Sequence, residues 1–91
     1  MNRLFATATI AAGRYGDGLD AVDELLATGA RDGPLLELAL LVLYEAFVNG
    51  APIVSAEQDH ARMTRFADAY RVTGGPSLAL VETWLSAAAP K

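Results

Sequence analysis

One spacing in the sequence could support metal chemistry, because Glu57 and His60 form a Glu-x-x-His pair. On a helix, residues three positions apart project from the same face, so a carboxylate and an imidazole would lie side by side. If residues 34–49 fold back on residues 56–73 through a short turn, Glu45 faces Glu57. Carboxylate-bridged di-metal sites in helical bundles use this combination of side chains.

In outline, this pattern resembles the short ferritin-like proteins that complete a di-iron centre by dimerisation. The resemblance is confined to the Glu-x-x-His motif and the helix around it. It implies a metal site formed by Glu45, Glu57 and His60, with a second half-site supplied across a two-fold axis. The alternative interpretation, which we favour, is that His60 is a partly buried polar residue hydrogen-bonded to a neighbouring helix.

Other catalytic chemistry is poorly represented in the sequence. The chain has no cysteine and a single histidine, which excludes disulfides, thiol catalysis and thiolate zinc sites and makes a nucleophilic triad improbable. The glycine-rich segment at residues 73–77 lacks the lysine of a phosphate-binding loop. We therefore expect no intrinsic enzymatic activity and no cofactor.

The charged residues are unevenly distributed along a chain of net charge -4. Residues 16–59 are strongly acidic and residues 60–75 are mildly basic. This asymmetry predicts a protein-binding surface formed by the charged side chains Asp20, Asp23, Glu24, Arg62 and Arg65. The two groups could attract each other within the fold or between copies of the chain. They could also be solvated faces, with the arginines in ordinary intrahelical pairs.

A DNA-associated regulator is a further alternative, and it would use Arg62 and Arg65. Three arginines in residues 60–75 would neutralise few phosphates, and the excess of acidic residues nearby would repel the others. Nucleic acid is therefore not an expected partner.

Four turn signals divide the chain into five helical segments. They are the glycine- and proline-rich stretches at residues 13–18, 29–34, 49–55 and 73–76. Between them, apolar residues recur at steps of three and four, which is the periodicity of a helix. Residues 3–12 also alternate with a period of two, so an edge strand is the competing interpretation of this first segment.

Capping residues predict where the helices begin and end. Asp17 is expected to start the second helix and Ser55 to cap the fourth, with Gln58 completing a capping box. Pro34 and Pro76 suit first-turn positions. Gly29, Gly50 and Gly74 suit the left-handed position after a helix.

The segment at residues 34–49 has almost no polar face, so it is expected to be the central helix of the fold. Its apolar run at residues 35–48 is shorter than the roughly 20 residues that a bilayer span requires. A chain this small has limited capacity to cover such a helix, and part of its apolar surface is expected to face a second copy in a homodimer.

These observations predict an all-α protein with one domain, residues 1–91, built as a compact bundle of about five short helices around residues 34–49. We expect a cytoplasmic protein without membrane association that acts as a small regulatory or adaptor module by binding another protein. The predominance of arginine over lysine is typical of GC-rich coding sequence and suggests a bacterial source.

Overall fold

The computed structural model describes residues 3–90, with Arg3 represented by its backbone alone. Five α-helices form the architecture, and no strand occurs within that range. The helices are α1 (Arg3–Ala11), α2 (Tyr15–Ala27), α3 (Gly33–Val48), α4 (Ala56–Thr73) and α5 (Leu78–Ala87). The predicted all-α fold is confirmed, and the first segment is a helix rather than an edge strand.

The central position of α3 follows from its composition. Asp32 caps the helix by accepting a hydrogen bond from the Leu35 backbone N–H at 3.0 Å, and Pro34 lies in the first turn as predicted. Helix α3 packs against α4, α5, α2 and α1. Its buried side chains are those of Leu35, Leu36, Ala39, Leu40, Leu43 and Ala46. An almost wholly apolar helix is stable in water only when its neighbours cover it in this way.

Helices α4 and α5 close the core around α3. Helix α4 contributes Met63, Phe66, Ala67 and Tyr70, all 2% exposed or less. From α5, the Trp84 ring stacks on Tyr44 of α3 with a centroid distance of 5.6 Å. Tyr70 and Trp84 therefore belong to the core.

The start of α2 differs from the prediction. The helix begins at Tyr15, and Asp17 lies inside its first turn, where its carboxylate contacts Arg14 at 2.6 Å. Gly18 is therefore helical and buried against α1, and a Cβ atom at this position would overlap the Ile10 side chain. The glycines at residues 13–18 were interpreted as a turn because glycine weakens isolated helices. Gly18 is nevertheless helical, because the close packing of α1 against α2 leaves no room for a side chain at this position.

The remaining boundaries agree with the predictions except at α5. The Ser55 hydroxyl accepts a hydrogen bond from the Gln58 backbone N–H at 3.1 Å, which confirms Ser55 as the N-cap of α4. Gly74 ends α4 in the left-handed conformation. Pro76 lies in the turn before α5 rather than in its first turn, and the backbone N–H of the next residue, Ser77, donates to the Tyr70 hydroxyl.

Together the helices have a Cα radius of gyration of 11.9 Å. None of the helices described combines the length and the apolar character needed to cross a bilayer.

Candidate functional site

The charged residues singled out in the sequence lie opposite one another across α2 and α4. Arg62 contacts Asp20 at 2.6 Å and Asp23 at 3.1 Å, and Arg65 contacts Asp23 at 3.1 Å. The Arg62 side chain is only 15% exposed, so its apolar stem is also packed. The two charged groups therefore attract each other within the fold, which was one of the predicted arrangements.

Intrahelical pairing does not explain these arginines, and that interpretation was wrong for Arg62 and Arg65. Arg71 is the arginine of α4 that forms the expected pair within the helix, with Asp68. Of the acidic residues on α2, Glu24 is exposed and forms no ion pair within residues 3–90. A protein-binding surface built on Arg62 and Arg65 would first have to break the contacts between α2 and α4.

The proposed metal ligands are not gathered into one site within the chain. His60 is half-buried, and its Nε2 lies 3.1 Å from the backbone carbonyl oxygen of Leu85 on α5. A carbonyl oxygen only accepts, so this hydrogen bond places the proton on Nε2. Glu57 and Glu45 are exposed. Within residues 3–90, no three His, Asp or Glu side chains are grouped so that they could hold a metal ion.

The last turn of α3 is the part of this apolar helix that its neighbours cover least. It lies beside the loop that follows and the start of α4. We call residues 45–60 the α3–α4 corner. Phe47 and Val48 are 46% and 60% exposed, although the rest of α3 before Glu45 is buried or half-buried apart from Pro34. Two hollows adjoin the corner, and Ala46 lines both.

The first hollow has a volume of about 260 Å³ and lies between α3, the loop, α4 and the residue after α5. Its walls are mainly apolar, and Phe47, Met63 and Ala88 are among them. His60 and Asp59 are the charged or titratable residues in its lining. The Nε2 of His60 is already hydrogen-bonded to Leu85, so this atom is not available to a ligand. The hollow is therefore best suited to an apolar group.

The second hollow, of about 300 Å³, lies on the other side of the loop. Tyr15 of α2, Val42 and Ile53 supply much of its apolar surface, and the Glu45 carboxylate stands beside them. Glu45 and His60 therefore line different hollows, one on each side of the loop.

Asp59 holds the loop between the two hollows against α4. Its carboxylate oxygens accept hydrogen bonds from the backbone N–H groups of Ile53 at 2.8 Å and Val54 at 3.0 Å. The side chain is 7% exposed, and hydrogen bonds to a carboxylate are stronger than those between neutral groups. The shape of the corner thus depends on one buried carboxylate.

The corner also contains carboxylates that have no cationic partner in the described part of the chain, as is true of Glu24 on α2. Each arginine side chain described, from Arg14 to Arg71, bonds to a carboxylate or, for Arg31, to backbone carbonyls. Glu45 and Glu57 take part in none of these ion pairs within residues 3–90. The corner therefore combines apolar hollows with uncompensated negative charge.

Sequence reasoning missed the role of Asp59 and placed weight on its neighbours Glu57 and His60. A Ser cap followed four residues later by Asp is a pattern that could have indicated it, because both side chains then face the loop before α4. The hydroxyl of Tyr70 was also missed. It donates to Glu37 at 3.4 Å and accepts from Ser77 N–H at 3.1 Å, joining α3, α4 and the start of α5.

The chain matches no protein-family model, no curated protein and no solved structure.

Proposed function

We propose that the protein is a small helical module that binds another protein, and that the α3–α4 corner is the surface it uses. The observation that supports this most directly is the contrast along α3. Its first three turns are covered by the other helices, and its last turn presents Phe47 and Val48 to solvent beside two apolar hollows.

The size of the hollows supports a protein partner over a small molecule. Ligand pockets usually measure roughly 300–1,000 Å³ and enclose most of the ligand. The two hollows, of about 260 and 300 Å³, are at or below that lower limit, and each is open to solvent. Side chains projecting from a partner helix would fill spaces of this size, which is the helix-in-groove mode of recognition.

Two alternatives have less support. A DNA-associated role would need Arg62 and Arg65 for phosphates, but both are engaged with carboxylates of α2. A metal-binding role would need His60 to give up its bond to Leu85 and the two glutamates to approach it. Neither alternative uses the exposed apolar surface of the corner.

The test is affinity capture with the wild-type protein and two variants, using extract from cells of its source organism. Phe47→Ala and Leu80→Ala are matched, since the two side chains are 46% and 49% exposed and only Phe47 belongs to the corner. We expect a partner retained by the wild type and by Leu80→Ala to be lost with Phe47→Ala, and the loss to recur with the purified partner. Equal retention by all three proteins would contradict the proposal.

A further inference from the structure

We propose that the occupant of the α3–α4 corner is a basic amphipathic helix of another protein, with a Lys or Arg that pairs with Glu45. This inference rests on the proposed function and specifies the chemistry of its partner. It depends on the local electrostatics of Glu45 and on the apolar hollow beside it.

Glu45 occupies a position that is unfavourable for a carboxylate in the free protein. It lies in the last turn of α3, where the carbonyl groups at the helix end already create a negative potential. Helix α3 has no basic residue in that turn to neutralise it. A cation brought by a partner would interact with both the carboxylate and the helix end.

Glu57 makes the corner more acidic, although its own position is different. It lies in the first turn of α4, where the positive end of the helix favours a carboxylate. Glu57 is therefore locally compensated, and Glu45 is not. This difference identifies Glu45 as the principal charged contact and Glu57 as a secondary one.

The surroundings of Glu45 define the rest of the partner. Tyr15, Val42 and Ile53 line the hollow at its side, so an apolar side chain of the partner would fill this space while a neighbouring cation reaches Glu45. Apolar and basic residues on adjacent faces are the pattern of a basic amphipathic helix. A second copy that docks corner to corner across a two-fold axis fits poorly, because it would place its own Glu45 and Glu57 against the same charges.

The experiment uses two synthetic amphipathic helical peptides with the same leucine face and with a polar face of either lysine or glutamate. Binding to the full chain is measured by fluorescence anisotropy at low and at physiological salt. We expect the lysine peptide to bind more than about tenfold more tightly than the glutamate peptide, with an advantage that decreases as salt increases. Amide resonances of Ala46 and Ile53 are expected to shift on binding.

Glu45→Gln is the decisive variant, and Asp68→Asn is its control. Both variants remove one exposed carboxylate. Asp68, however, lies outside the corner, about 18 Å along α4 from Ala56, a lining residue of the first hollow, as calculated from the helical rise per residue. We expect Glu45→Gln to weaken lysine-peptide binding about fivefold and Asp68→Asn to weaken it less than about twofold. Glu45→Gln should also raise the urea midpoint of the free protein, because an unfavourable charge is removed.

The outcomes separate this inference from the proposed function. Equal binding of the two peptides, equal effects of the two variants, or no binding of the lysine peptide would overturn the basic helix as occupant. Self-association that competes with the peptide would also overturn it, in favour of a second copy. The proposed function is contradicted by a different experiment, the affinity capture, if a native partner is retained equally by the wild type and by Phe47→Ala.

Discussion

The carboxylate of Asp59 accepts a hydrogen bond from the backbone N–H of Ile53 at 2.8 Å, which ties the loop after α3 to the first turn of α4. A second bond from Val54 N–H at 3.0 Å completes the contact. The loop separates the two hollows of the α3–α4 corner, so this buried carboxylate controls the shape of the proposed binding surface.

Asp59→Ala is expected to lower the free energy of unfolding by about 2–4 kcal/mol, because two backbone donors lose a charged acceptor. Urea denaturation measures this change, and Gln58→Ala, at the exposed neighbouring position, should change it by less than about 0.5 kcal/mol. In hydrogen exchange, the Ile53 and Val54 amides should lose protection in Asp59→Ala. Unchanged protection of both amides would show that the loop is held by other contacts.

Two glycines of α2 provide a matched test of the α1–α2 packing. A Cβ atom at Gly18 would overlap Ile10, whereas a Cβ atom at Gly16 would meet nothing within 4 Å. Gly18→Ala is expected to destabilise the protein by about 1–3 kcal/mol through overpacking. Gly16→Ala should stabilise it by about 0.5 kcal/mol, because alanine is the better helix former. Thermal unfolding distinguishes the two, and similar effects of both would contradict the close packing.

Arg62 should contribute more to stability than an exposed arginine does. Its side chain is 15% exposed and contacts both Asp20 and Asp23, so Arg62→Ala is expected to cost about 1–2 kcal/mol from lost packing and ion pairs. Arg14, with a side chain 64% exposed, pairs with Asp17 within one turn, and Arg14→Ala should cost less than about 0.5 kcal/mol. Chemical denaturation at low and high salt measures both, and equal costs would show that the α2–α4 contacts add nothing.

Titration with zinc or iron(II) tests the ferritin-like alternative. We expect no stoichiometric uptake by the wild-type protein, because His60 donates to Leu85 and no metal-binding group of three occurs within residues 3–90. Calorimetry measures the uptake directly. Stoichiometric binding that disappears in His60→Ala would place the metal-binding function ahead of the protein-binding one.

The homodimer stays a prediction, and the structure limits which surface it can use. The expectation that α3 faces a second copy is revised, because its exposed large apolar side chains, Phe47 and Val48, lie in the acidic corner, which is a poor self-interface. A dimer is expected instead to bury exposed apolar side chains such as Leu4 or Val72, which are 71% and 73% exposed. Light scattering at tens of micromolar should give twice the mass of the chain. A monomeric mass at that concentration would contradict the dimer, and a dimer disrupted by Phe47→Ala would contradict this choice of surface.

The sequence by itself determined the helices and their order. Apolar periodicity and the glycine- and proline-rich turns between helices are local signals that the sequence shows directly. Helix α3 could be recognised as central because almost all of its side chains are apolar and must be buried against other helices. The caps at Ser55 and Gly74 are likewise set by neighbours within a few residues.

Only the tertiary structure decided which side chains meet across helices. Arg62 and Asp20 are 42 residues apart in the chain, and no local pattern indicates that they pair. Gly18 was interpreted as a turn residue because its helical state depends on contact with Ile10 of another helix. For the same reason, the candidate protein-binding surface is no longer the charged residues of α2 and α4 but the surface around Glu45, because Arg62 and Arg65 are engaged with carboxylates of α2 within the fold.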